Sequence, residues 1–366
     1  MLEAGKHGSP NGAALAVATF FIICLESGRL SYYRVKTFAE KLVCPKFPRS
    51  FEMLVAFFIL ASTLLLCAYV LYQYSGPMLL GIERVEYLSF VVPSWVAVVK
   101  SLSLQSFFIC VMAYLMLKHS FAKKIFGLGS VSVLACLIIV FGEKFSALNL
   151  CLMFFFMALA GASPDIKFSR KFWVLCALGF VGVLSLVVYS YISIGRDFRF
   201  VFTRIVLQAQ VIWSVMEAPL NIEFWWRDGG CFFGCEGFST GAQYLDYLVL
   251  PDALYELYQR SGTSLSGYFP AVLIQQYGFF FALIVAVVGS CLLASVQAFL
   301  VIAIRQGALL FSFVLFKIYY MILAFLYFGQ IGVFNSMVVG CILIGLIMIL
   351  LAKKWRSGPL TLNVGK

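Results

Sequence analysis

Apolar residues run through this chain in blocks too long for a soluble core. Hydrophobic stretches occupy roughly 13–33, 52–72, 101–117, 125–141, 146–163, 172–194, 279–301, 307–328 and 331–352. Each is close to the ~17–25 residues that a helix needs to cross a bilayer. The pattern predicts an all-α polytopic membrane protein with about nine transmembrane helices, in a range of about 9–11. Pro45, Pro48, Pro93, Pro164, Pro219 and Pro270 fall at or near the ends of these blocks, as helix breakers should. The first block is the most interrupted: Glu26 and Arg29 lie within it, three apart on one helical face and placed to pair.

Two regions depart from the apolar pattern. Over 198–217, Phe198, Phe202, Ile205, Ala209, Ile212 and Met216 share one helical face. Arg196, Asp197, Arg199, Thr203, Arg204, Gln208, Gln210, Ser214 and Glu217 take the other, with Leu207, Val211 and Val215 as apolar exceptions among them. As a span, this segment would turn three Arg, an Asp and a Glu toward lipid or a cavity; as an amphipathic helix in the interface it would not. The interfacial arrangement is expected. From Pro219 to Pro270 the chain then becomes polar and aromatic, carrying Trp225, Trp226, Arg227, Asp228, Cys231, Cys235, Asp246, Asp252, Glu256 and Arg260.

Lys and Arg fix the expected orientation. Arg29, Arg34, Lys36, Lys41, Lys46, Arg49, Lys118, Lys123, Lys124, Lys167, Arg170, Lys171, Arg305, Lys353, Lys354, Arg356 and Lys366 fall in one set of connections. The alternate set holds fewer: Lys6, Arg84, Lys100, Lys144, Arg196, Arg199, Arg204, Arg227 and Arg260. The richer side is cytoplasmic. The N-terminus is therefore expected outside and the C-terminus inside, with 73–100 and 195–278 as outer loops; 195–278 is the large one and contains the interfacial helix. No small-residue cleavage site follows the first apolar run, so no signal peptide is expected.

Composition narrows the class. The chain is 63% hydrophobic and 12% charged, with mean hydropathy +0.98. Soluble domains are nearer 45–50% apolar and about 25% charged, so the 366 residues are read as a single integral membrane domain. A net charge of +11 raises the question of nucleic acid, but the basic residues flank apolar spans, as the positive-inside bias requires.

Cationic groups on the outer side run against that bias. Arg196, Arg199 and Arg204 cluster, Arg227 and Arg260 follow in the large loop, and Arg84 comes from the first outer loop. Any one of them has an ordinary use, snorkelling to head groups or pairing with Asp197 or Glu217. As a group they suit a lipid-linked phosphate or diphosphate held by guanidinium forks. Glycosyl transfer also needs a carboxylate to take the acceptor proton. Glu83, Glu86, Asp197, Glu217, Glu223, Asp228, Glu236, Asp246, Asp252 and Glu256 are the outer candidates, with Asp228, Asp252 and Glu256 the shortlist.

Trp225, Trp226, Phe232, Phe233, Tyr244, Tyr247, Tyr255 and Tyr258 suit either stacking on sugar rings or an interfacial aromatic belt, and both readings stand. Cys231 and Cys235 are the two outer-loop cysteines, candidates for a short disulfide if the loop faces an oxidising space. Neither a metal site nor a cofactor is expected: the histidines are His7 and His119 alone, far from this loop. Lys317, mid-span beside Tyr319 and Tyr320, is either functional or structurally paired, for instance with Glu26.

Three stretches resemble Wzy-type O-antigen (oligosaccharide repeat-unit) polymerases. Gly76 to Tyr87, with Gly81 and Arg84 inside it, resembles a Gly–(acid)–Arg–x–x–Tyr pattern after the second span. Arg204, Gln208, Gln210 and Trp213 resemble the outer Arg–Gln–Trp helix. Ser261 to Pro270, leading to Tyr277 and Gly278, looks like the end of the large periplasmic loop. An Arg-x10-Gly pattern carried by some members has no counterpart at Arg196, Arg199, Arg204, Arg227 or Arg260.

The resemblance implies a GT-C-like fold in the bacterial inner membrane and the joining of undecaprenyl-diphosphate-linked repeats at the periplasmic face. It puts Arg84, Arg204 and Gln208 near the diphosphate or the glycans. Membrane lipids, a chain-length regulator and a flippase are the implied partners, and nucleic acid is not. An O-antigen ligase shares the layout but is expected to carry an outer-loop histidine. A repeat-unit flippase or ion-coupled transporter would need polar residues along several spans.

Overall fold

The computed structural model describes residues 13–82, 84–117, 121–143, 145–162 and 269–329, with isolated positions from 174 to 256 and from 340 to 350. Among the described residues every regular element is helical. In chain order these are α1 (Ala13–Ala39), α2 (Arg49–Tyr74), α3 (Pro77–Leu80) and α4 (Arg84–Glu86), the last running into a π turn at Tyr87–Val91. They continue with α5 (Trp95–Met116), α6 (Phe121–Ile139), α7 (Phe145–Ala162), α8 (Ala271–Tyr277), α9 (Phe279–Arg305) and α10 (Leu309–Phe328).

Six of these, α1, α2, α5, α6, α9 and α10, are long and apolar enough to cross a membrane, and α7 is a further apolar helix. Multi-pass membrane architecture follows. The expected spans at 172–194 and 331–352 lie largely outside the described residues. Within the first, Val181, Tyr189 and Ile192 are exposed helical positions.

Helices α1 and α9 pack side by side and run parallel. Ser31 Oγ of α1 donates to the Cys291 carbonyl of α9 at 3.1 Å, and Phe20 meets Phe279 edge-on at the other end of the same pair. Gly28 of α1 faces the Ser290 carbonyl of α9. Gly129 of α6 sits against Leu60 of α2, and Gly289 of α9 against Leu326 of α10. The middle of the bundle is aromatic where α5, α7 and α10 meet: Phe108 stacks on Phe316 at 4.0 Å, and Phe154 stands edge-on to Phe316 at 4.4 Å. Leu25, Leu30, Phe58, Leu65, Leu128 and Val131 face outward, an apolar surface that lipid covers and water would not tolerate.

Two ends result. One gathers 40–48, the α5–α6 connection and 306–308. There Gln306 bridges Cys44 N–H and the Leu42 carbonyl, and Arg49 donates to the Met116 carbonyl. This is the end with Lys36, Lys41, Lys46, Arg49, Lys123, Lys124 and Arg305. The opposite end gathers 75–94, 140–143, 269–278 and Gly329. The described spans thus pair connections as the Lys/Arg pattern predicts.

Candidate functional site

At the less basic end, the Gly76-to-Tyr87 stretch folds into a hook with a structural job for most of its distinctive residues. Ser75 leaves α2 at φ 56°, a strained conformation for a residue with a Cβ. The Tyr87 hydroxyl donates to its carbonyl at 2.6 Å and holds it there. Gly76 packs directly over the Ile139 carbonyl, where any side chain would collide with backbone. Pro77 starts α3, a position that needs no N–H, and Gly81 ends it at φ 65°. Tyr87 is fully buried; burial, with the Tyr74 phenol nearby, pushes its phenol up to about 12.

The hook delivers Arg84 to a buried carboxylate. Arg84 Nη1 lies 2.8 Å from Glu143 Oε2, and Lys100 Nζ lies 2.9 Å from Glu143 Oε1. Glu143 is 5% exposed, while the side chains of Arg84 and Lys100 are 30% and 28% exposed. Three separate segments meet here: the loop after α2, the first turns of α5, and the turn between α6 and α7. Gly142 makes the last of these possible. It sits at φ 62°, and a Cβ on it would come 2.7 Å from Pro77 Cγ and 3.4 Å from Arg84 Cβ. Glu143 N–H is tied to the Leu137 carbonyl at 3.0 Å, so the backbone fixes where the carboxylate points.

Lys100 reaches the site because α5 begins at Trp95, earlier than the apolar run at 101–117 implies. The helix extends beyond the hydrophobic stretch, and what reads in sequence as the end of a loop is a helical turn. Trp95 itself packs against Tyr69 and Tyr74 at 6.1 and 6.5 Å.

A second cluster sits at the same end. Helix α8 is almost wholly buried, with Phe20, Cys24, Val215, Leu245 and Leu326 packed around it. Val215, an exception on the polar face of 198–217, is thus buried rather than at odds with its surroundings. Tyr277 Oη donates to the Gly329 carbonyl at 2.6 Å, and burial pushes its phenol up. Beside it Gln276 is 4% exposed, and neither its Nε2 nor its Oε1 has a hydrogen-bond partner among the described residues.

Of the expected site residues, Arg84 is in the cation cluster. Asp252 and Glu256 are exposed helical positions, whereas Asp246, from the same stretch, is 2% exposed. Tyr255 stacks edge-on with Tyr247 at 5.2 Å; burial, then Asp246 and Tyr247, push its phenol up. Arg196, Arg199, Arg204, Gln208, Trp213, Arg227, Asp228, Arg260, Cys231 and Cys235 lie outside the described residues. Glu26 is ion-paired to Arg29 at 3.3 Å, and Lys317 is buried beside the Phe313 ring.

Lys100 and Glu143 were not among the expected site residues. Their signal was faint but present: Glu143 is the one carboxylate in a turn of Phe141, Gly142, Glu143 and Lys144 squeezed between two apolar runs. No protein-family model, curated protein or solved structure matches this chain.

Proposed function

We propose that this protein is a membrane glycosyltransferase of the O-antigen polymerase kind. It joins undecaprenyl-diphosphate-linked oligosaccharide repeats at the periplasmic face of the bacterial inner membrane. One observation carries the reading. Arg84, the residue that the family resemblance puts near the diphosphate, stands beside a second cation around a buried carboxylate, at the end away from the Lys/Arg-rich connections.

The chemistry asks for little more. A carboxylate takes the proton of the acceptor hydroxyl as its oxygen bonds to the donor sugar's anomeric carbon. The bond from that carbon to the diphosphate oxygen breaks, and the lipid diphosphate leaves with the electron pair. Cations fixed beforehand stabilise that developing charge in a water-poor setting. Asp228, Asp252 and Glu256 are the proposed bases. Arg84, Arg196, Arg199, Arg204, Gln208, Trp213, Arg227 and Arg260 are the proposed substrate contacts. Deleting the gene should leave lipopolysaccharide bearing single repeats in place of a ladder. A normal ladder discards the reading, and loss of all repeats favours a ligase or flippase.

Ion-coupled transport is the second reading, favoured by the buried Lys317. Against it, the buried hydroxyls of Thr63, Ser103 and Ser312 each donate to the carbonyl four residues back in their own helix, which leaves them little capacity to line a polar path.

A further inference from the structure

Two cations share a single carboxylate at Glu143, and the charges there do not balance. One partner would neutralise a buried glutamate; two, among the described residues, leave positive charge over at a partly exposed rim. Among the described residues each cation spends one of its N–H groups on Glu143, which leaves most of the guanidinium fork and the other ammonium donors over. Both side chains keep an exposed flank, while the carboxylate between them is sealed. Gly76 against Ile139 and Gly142 against Pro77 allow the two loops to close without side chains between them.

We propose that Arg84 and Lys100 together take the phosphate oxygens of the lipid-borne diphosphate, with Glu143 as the positioning residue that sets their spacing. This rests on the polymerase reading and adds to it Lys100 as a second binding cation and Glu143 as the residue that aims both. The open N–H groups suit an anion with several oxygens, and a diphosphate presents them side by side. Glu143 itself never touches the ligand. It holds two mutually repelling cations on a common side, ready for it.

The test is binding of two probes to the purified full-length protein in phosphatidylcholine nanodiscs. One is inorganic pyrophosphate, the other undecaprenyl diphosphate. Lys100→Ala and Arg84→Ala should each weaken capture of undecaprenyl diphosphate by about tenfold or more, and Lys100→Arg should retain most of it. Glu143→Gln separates positioning from simple charge. Removing a negative charge beside an anion site should tighten binding if the carboxylate only competes with the ligand. If it positions the cations, binding weakens by a similar factor even though the net charge has risen, and Glu143→Asp recovers part of the loss.

Thermal unfolding of each variant reports whether it folds; where Glu143→Gln does not, Glu143→Asp and Lys100→Gln carry the test. Tighter binding by Glu143→Gln overturns the positioning role. Undiminished binding by Lys100→Ala overturns the two-cation site. Lys100-dependent capture of pyrophosphate without capture of undecaprenyl diphosphate overturns the lipid-borne ligand. Because binding is measured without the pathway, a normal ladder in the gene deletion would sink the polymerase reading and leave this site standing.

Discussion

Two glutamates are buried among the described residues, one at each end of the bundle, and the fold treats them differently. Glu143 is met by two cations from two different segments. Glu52, 2% exposed in the first turn of α2, meets backbone instead. Its Oε2 accepts from Leu309 N–H, the first residue of α10, at 3.3 Å, and its Oε1 has no hydrogen-bond partner among the described residues. The first N–H groups of a helix have no partner within it, and a carboxylate at that end both accepts from them and suits the helix dipole. Glu52 therefore acts as a cap for a neighbouring helix through its Oε2. Glu143 meets two cations among the described residues, and the proposed anion site rests on that difference.

The contrast breaks most easily at Glu143. Glu143→Ala strands Arg84 and Lys100 without their shared partner and should lower stability by about 2–3 kcal/mol, less than the roughly 3–5 kcal/mol of a fully buried pair because both cations retain some solvent. Thermal unfolding in detergent reads this directly, and a variant as stable as wild type would show that the three groups are not coupled. At the other end, Glu52→Ala should cost about 1 kcal/mol through the lost cap of α10. Glu52→Gln should recover most of it, since an amide oxygen still accepts from Leu309. Both should restore a normal glycan ladder to the deletion strain. A Glu52→Gln protein that is stable yet gives no ladder would make the basic end functional as well.

Smaller effects sharpen the picture of the hook. Tyr87→Phe removes the bond to Ser75 and should cost about 1 kcal/mol. It also changes the alkaline limb. The folded state holds the Tyr87 proton more tightly than the unfolded chain, so the stabilisation is whole below the unfolded value of 10.0 and is lost as pH climbs toward about 12. Unfolding temperature measured across that window should fall for wild type and fall less for Tyr87→Phe. The smallest change is expected from Gln276→Leu. An amide with no partner among the described residues has nothing there to offset its desolvation, so an apolar replacement of similar volume should shift stability by less than about 1 kcal/mol, or raise it. Shortened glycan chains in a stable Gln276→Leu protein would assign that amide to a ligand.

Hydrophobic blocks foretold the long helices well, because burial in lipid imposes length and composition together. The blocks at 52–72 and 307–328 became α2 and α10 with ends shifted by only a few residues. The Glu26–Arg29 pair was legible from helical spacing alone. Arg84 was legible as a charge on the less basic side. Its partners were not, for a physical reason. Lys100 sits on helical turns that extend past the apolar run, and hydropathy does not report where a helix starts beyond the membrane. Glu143 is buried by tertiary contact with a loop some sixty residues earlier, and a lone carboxylate in a short turn carries no local sign of that burial. Spacing likewise does not report that Asp246 is enclosed while Asp252 and Glu256 are exposed; only packing decides that.

Complementation of the gene deletion by Arg84→Ala probes the central claim most directly, with membrane protein levels matched to wild type. If a diphosphate-carried glycan docks at the Arg84, Lys100 and Glu143 end, the strain should make lipopolysaccharide with single repeats only, while Glu52→Gln in the same assay gives a full ladder. A full ladder from Arg84→Ala at normal protein level would mean that the substrate binds elsewhere.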